Sequence, residues 1–206
     1  MGRSETPSIE ELRGPAFELL DEFRHDDVVS FVARWFFDRP SWITRLNLAL
    51  SLAALAAVFV TAGLLRVPFL QALAQFGLGV IVMAVVVLPL HEALHAAAYR
   101  MTGARRIRWR ILWKYVAAYV VAERFVAGAR AFFFVALVPF VVITPALIAL
   151  AVAFPRWGVL WLTVLLLHTA GVSGDWALMN YYWTHRGREI FTFDEAGQAY
   201  FYVRKR

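Results

Sequence analysis

From Arg45 to Trp183 the chain reads as four long apolar runs divided by short polar breaks. A helix needs about 20 mostly apolar residues to cross a bilayer. Residues 46–65, 68–99, 131–154 and 157–183 meet that length, the second running on from VVVLPL into HEALHAAAYR. The pattern predicts an all-α polytopic membrane protein with four transmembrane helices. Pro139 and Pro145 fall inside the third run, which spans tolerate where neighbouring helices satisfy the freed carbonyls. The chain divides accordingly into a polar N-terminal segment, 1–40, a four-span membrane domain, 41–183, and a basic tail, 184–206.

A different period marks the amphipathic loop between the second and third runs, residues 104–127. Ile107, Trp109, Ile111 and Trp113 alternate with Arg106, Arg108, Arg110 and Lys114. Period-two alternation of β-branched and aromatic residues predicts a strand or hairpin. Its apolar side chains would lie at a membrane interface while the Arg heads reach lipid phosphates. The tail sequence EIFTFDEAGQAYFYV predicts two short strands around Asp194–Gly197. At the other end, Glu10–Leu20 has the pattern of a short amphipathic helix. Phe23–Phe37 mixes charges with aromatic residues, as an interfacial segment or a solvated cap does. No apolar core stands near the start, so no secretory signal is expected there.

Composition sharpens this picture. Hydrophobic residues make up 61% of the 206 and charged residues only 17%, against an apolar share of roughly 45–50% in soluble domains. Nine of the fifteen carboxylates precede Pro40 and three follow Trp183, leaving Glu92, Glu123 and Asp175 between. This excludes a soluble globular enzyme, a disordered chain and a soluble nucleic-acid binder. The net charge of +6 falls in the segments flanking the apolar runs. Residues 105–130 hold seven basic residues and one acid, and 186–206 hold five basic residues. By the positive-inside rule the N-terminus, the central loop and the tail are cytoplasmic, which suits an integral, multi-pass protein of the cell membrane. With no cysteine, a metal site must use His and carboxylate.

His91-Glu92-Ala93-Leu94-His95 has the H-E-x-x-H form. On a helix, residues i and i+4 share a face one turn apart, so both imidazoles reach one Zn2+ ion. Glu92 follows the first ligand and is placed to act as the catalytic base, activating a zinc-bound water. Ionisable groups in an apolar span point to function. A catalytic zinc has three protein ligands and an open position, and Asp175, His168 and Glu123 are the candidates for the third. His91 lies 23 residues from Pro68 and Asp175 lies 18 from Trp157, comparable depths in two helices of the same direction. His168 would be about 10 Å deeper on a regular helix. Asp175 is therefore the expected third ligand, and His168 a donor behind the ligands or facing substrate. Glu123 is expected in a solvated loop. Gly171-Val172-Ser173-Gly174 is expected to let helices approach closely and bring Asp175 to the HEALH helix.

With these motifs the chain resembles the zincin peptidases of bacterial and archaeal membranes, similar in pattern to site-2 proteases. The likeness rests on PLHEALH, on LVPFVVITP in the next run, on HTAGVSGD in the last, and on an ending of the form D-x-x-x-x-x-Y-F-Y at Asp194–Tyr202. In site-2 proteases the aspartate stands in L-D-G; here it stands in Gly174-Asp175-Trp176. The resemblance implies an intramembrane metalloprotease with His91, His95 and Asp175 on zinc and Glu92 as base. The function expected is hydrolysis of a peptide bond in a membrane or membrane-proximal protein. No nucleic-acid partner is expected. Two other readings stay open: a zinc site that only staples the helices, and a small membrane scaffold or transporter without metal. The strand-like stretch 107–121 is expected to pair with an extended substrate by edge addition.

Overall fold

The computed structural model describes residues 6–112 and 117–205. Trp113 and Lys114 of the alternating loop lie outside the described residues.

Among the described residues four helices are long and apolar enough to cross a membrane: Trp42–Leu64, Phe69–Met101, Ala129–Ala153 and Pro155–Thr184. The first, α3 (Trp42–Leu64), starts at a capping box, Ser41 accepting from the Ile43 amide at 3.1 Å while Thr44 accepts from the Ser41 amide at 3.2 Å. The second comprises α4 (Phe69–Val82), a single wide turn at Met83–Val87 and α5 (Leu88–Met101). In that turn the Leu88 amide donates to the Met83 carbonyl, five residues back. Pro89 accounts for it, because it lacks an N–H and its ring crowds the carbonyl four residues earlier. The extra residue turns the HEALH face by about 100° relative to α4. The third helix is α6 (Ala129–Ala153), continuous through both prolines.

The fourth divides into α7 (Gly158–Gly171) and α8 (Ser173–Thr184), broken at Val172. Helix α7 packs against α3, α4 and α6. Intrahelical bonds missing at its two ends are replaced from neighbours. Gln75 of α4 accepts from the Leu160 amide at 3.2 Å and donates to the Arg156 carbonyl at 2.9 Å. Asn47 of α3, fully buried, donates to the Thr169 carbonyl at 2.9 Å just before the break. Gly79 marks the closest approach of α4 to α7, since a Cβ there would lie 3.0 Å from Thr163.

The description all-α is too narrow, for among the described residues six strands form two sheets beside the helices. The central loop is an antiparallel pair, β2 (Ile107–Leu112) with β3 (Ala117–Ala122), in register from Ile107↔Ala122 to Leu112↔Ala117. The tail forms the hairpin β5 (Ile190–Glu195) and β6 (Gln198–Arg204), turned by Ala196 and Gly197 with φ of 51° and 84°. The second sheet has the order β1-β6-β5-β4, with β1 at Phe17–Arg24 and β4 at Ala127–Gly128.

Strand β1 corrects the helix expected over Glu10–Leu20. Only one turn forms, α1 (Ile9–Leu12), capped reciprocally by Ser8 and Glu11. Gly14 and Pro15 follow at once and end it. The chain then pairs with β6 from Phe17↔Arg204 to Arg24↔Gln198, a partner far along the sequence. Part of the aromatic stretch 23–37, expected as an interfacial segment or a solvated cap, enters the protein core. Phe31 of α2 (Val28–Ala33) and Trp35 and Phe36 after it are buried. Trp35 meets the Tyr181 ring edge-on at 4.8 Å. Asn180 of α8 donates to the Trp35 and Arg39 carbonyls at 2.5 and 2.8 Å. The N-terminal segment is thus fastened to the helix that carries Asp175.

Replacing Asn180 by Leu removes both of these hydrogen bonds, the one to Trp35 buried and the one to Arg39 part-buried, a loss of about 1–3 kcal/mol. Asn180→Leu is expected to lower the thermal midpoint and to speed tryptic cleavage at Arg34, whereas unchanged cleavage would show that the aromatic packing alone holds the segment.

Candidate metal centre

Three side chains from α5 and α8 converge on one point. His91 Nε2 and His95 Nε2 are 3.0 Å apart, and Asp175 Oδ2 is 3.3 Å from each. The H-E-x-x-H spacing puts the two imidazoles on one face of α5. The break at Val172 lets Asp175 enter from the first turn of α8. Tetrahedral zinc with ligands at about 2.0–2.1 Å separates them by about 3.3 Å. The three atoms therefore have the spacing of a zinc tripod, in a donor set of two imidazoles and a carboxylate that suits that ion.

The other nitrogen of each histidine is also engaged. His95 Nδ1 donates to the Val135 carbonyl of α6 at 3.0 Å. This fixes the tautomer with the Nε2 lone pair on the tripod side. His91 Nδ1 is 3.4 Å from His168 Nε2. His168 is fully buried and stands behind His91, touching that ligand and not the tripod. Such partners orient a ligand imidazole and raise its basicity.

Glu92 is buried, and its Oε2 has no partner among the described residues. A carboxylate oxygen of Glu92 lies within 4.8 Å of a ring nitrogen of each histidine. A buried carboxylate oxygen without a donor is uncommon. Glu123, the remaining candidate, pairs with Arg108. The expected close-packing role of Gly171 and Gly174 is not what the structure shows. A Cβ on either would meet nothing nearer than one atom at 4.0 Å. Asp175 reaches α5 through the helix break instead.

A cavity of about 480 Å³ adjoins the tripod. Glu92, His95 and Asp175 line it, and so do Val120 and Val121 of β3. Its other walls come from segments without a local motif. Phe23, His25 and Val32 come from the N-terminal segment, and Asp194 and Phe201 from the tail hairpin. His25 Nε2 is 2.8 Å from Asp194 Oδ1. The His25 ring stands edge-on to that of Tyr119 at 5.5 Å. Burial raises the Tyr119 hydroxyl pKa above its ordinary value, so it faces the cavity as a neutral phenol.

Residues 84–188, just over half of the chain, match the family described as "Putative zincin peptidase", and the chain belongs to that family. The matched stretch contains His91, Glu92, His95, His168 and Asp175, and stops short of the N-terminal segment and the tail hairpin. No curated protein and no solved structure matches the chain.

Removing a partner behind a metal ligand lowers metal affinity by about 10–100-fold. His168→Leu is expected to do so in competition with a zinc chelator, while holding zinc when the metal is in excess. Loss of all zinc binding would make His168 a ligand, and unchanged affinity would deny it any part in the site.

Proposed function

We propose that the chain is a membrane-embedded zinc metallopeptidase that hydrolyses a peptide bond in a membrane or membrane-proximal protein. The observation that carries this reading is the tripod with the unpaired Glu92 oxygen beside it. His91, His95 and Asp175 would hold the ion. Zinc held there would make a bound water acidic near neutral pH and would polarise a carbonyl. Glu92 takes the proton of the attacking water at its free Oε2 and passes it to the departing amine. His168 and the Val135 carbonyl keep the two imidazoles in place through the cycle.

Substrate reaches this chemistry through the cavity. Strand β3 pairs with β2 along one edge, and just past the end of β3 Glu123 bridges Asp194. An extended segment added along the other edge passes Val120 and Val121 beside Glu92. Such a segment must be unwound, because a helix shields its own carbonyls.

Membrane placement rests on the outward helix faces. Phe59, Leu64, Phe69, Leu70 and Val152 are 70–78% exposed, a surface that water does not tolerate over such an area. A bilayer around the four helices covers it, with the N-terminus, the β2–β3 hairpin and the tail on the cytoplasmic side by the distribution of Arg. A zinc that only stapled the helices would need neither an open cavity nor a base next to it, and a metal-free scaffold would need no tripod.

General-base catalysis contributes about 10²–10⁴-fold. In zinc-loaded proteoliposomes, Glu92→Gln is expected to retain the metal and to release fluorescence from dye-quenched casein slower by that factor. A variant as fast as wild type would deny Glu92 the role of base.

A further inference from the structure

Gly171 and Gly174 border the cavity, one at the end of α7 and the other next to Asp175. Three ordinary reasons for glycine fail at both positions. Neither has positive φ; among the described glycines only Gly103 and Gly197 do. Neither is pressed by a neighbouring helix, since a Cβ would meet only Met83 Cε or Val32 Cγ2, each at 4.0 Å. Neither favours the helix, since glycine weakens one relative to alanine. The open space that their missing side chains leave belongs to the cavity.

The rest of the lining says what fills that space. Val28, Val29 and Val32 of α2, Leu178 of α8 and Phe132 and Val135 of α6 make it mostly apolar. Two nine-tenths-buried polar side chains in the same lining lack a partner at one atom, Glu92 at Oε2 and His25 at Nδ1. Asp194 already takes His25 Nε2, so Nδ1 is the ring atom left without a partner. An apolar hollow with a few unpaired polar groups suits an apolar side chain on a peptide, whose main chain supplies donors and acceptors. A lipid tail would fill the hollow and leave both groups unpaired.

We propose that Gly171 and Gly174 form the floor of a pocket that selects a large apolar side chain, Phe or Leu, beside the scissile bond, with Val32 as its wall. The proposal rests on the peptidase reading for the words "scissile bond" and on the cavity for the rest. The N-terminal segment, which the family match does not include, thereby sets substrate preference.

The test measures binding apart from turnover. Zinc-loaded Glu92→Gln protein in nanodiscs is titrated against two fluorescein-labelled peptides, Ala-Ala-Phe-Ala-Ala-Ala and hexa-alanine, and read by anisotropy. The Phe peptide is expected to bind at least about tenfold tighter, as burying one aromatic side chain allows. Adding Gly174→Leu is expected to bring the two within about twofold, with zinc content and thermal midpoint unchanged. Val32→Trp fills the same space from the other side, and is expected to do the same should Gly174→Leu fold poorly. Equal binding to the parent protein, or a preference that survives both fillings, overturns the pocket. Hydrolysis by wild type is scored separately. A Phe preference without any hydrolysis keeps the pocket and removes the peptidase reading. Hydrolysis without a Phe preference does the reverse.

Discussion

Two imidazole nitrogens and a carboxylate oxygen stand 3.0–3.3 Å apart, with both imidazoles more than nine-tenths buried. So close a meeting of lone pairs, away from water, is favourable only around a cation or shared protons. The structure is arranged to enforce it. The outer nitrogens of His91 and His95 are tied to His168 and to the Val135 carbonyl, so the inner nitrogens have nowhere else to turn. Four helical segments are thereby committed to one point, α5 through His91 and His95, α8 through Asp175, α6 through Val135 and α7 through His168.

Two departures from regular helix make that convergence possible. The wide turn before Pro89 rotates the HEALH face, and the break at Val172 lets His168 and Asp175 meet the same imidazole from different sides. A straight fourth helix would have placed His168 and Asp175 about 10 Å apart along its axis. Breaks of this kind free backbone groups, and Asn47 takes the Thr169 carbonyl in compensation. Irregular backbone is tolerated among apolar helices where protein side chains satisfy it in this way.

The features legible in the sequence are those set by local spacing. Four apolar runs gave four long helices, alternation at Ile107–Ile111 gave β2, and Asp194–Gly197 gave the tail turn. The H-E-x-x-H pair and the matched depth of Asp175 brought the tripod together on paper, because helical rise converts sequence distance into height. What stayed hidden depends on partners far along the chain. Glu10–Leu20 has a helical pattern of its own, yet from Phe17 onward the chain pairs with β6 as a strand. His25 belongs to a segment that reads as a cap, and only Asp194, 169 positions away, shows it at the cavity. The glycines near Asp175 misled for a similar reason. A pair of small residues is the same in sequence whether a helix or an empty hollow lies against it.

Metal content per chain tests the central claim most directly. Protein purified in detergent, supplied with zinc and freed of excess by gel filtration, is measured by mass spectrometry beside Asp175→Ala. The tripod predicts about one zinc per wild-type chain and almost none in the variant, because three protein ligands are the minimum of such a site. Wild type without zinc, or an Asp175→Ala protein that holds it as tightly, would contradict the account.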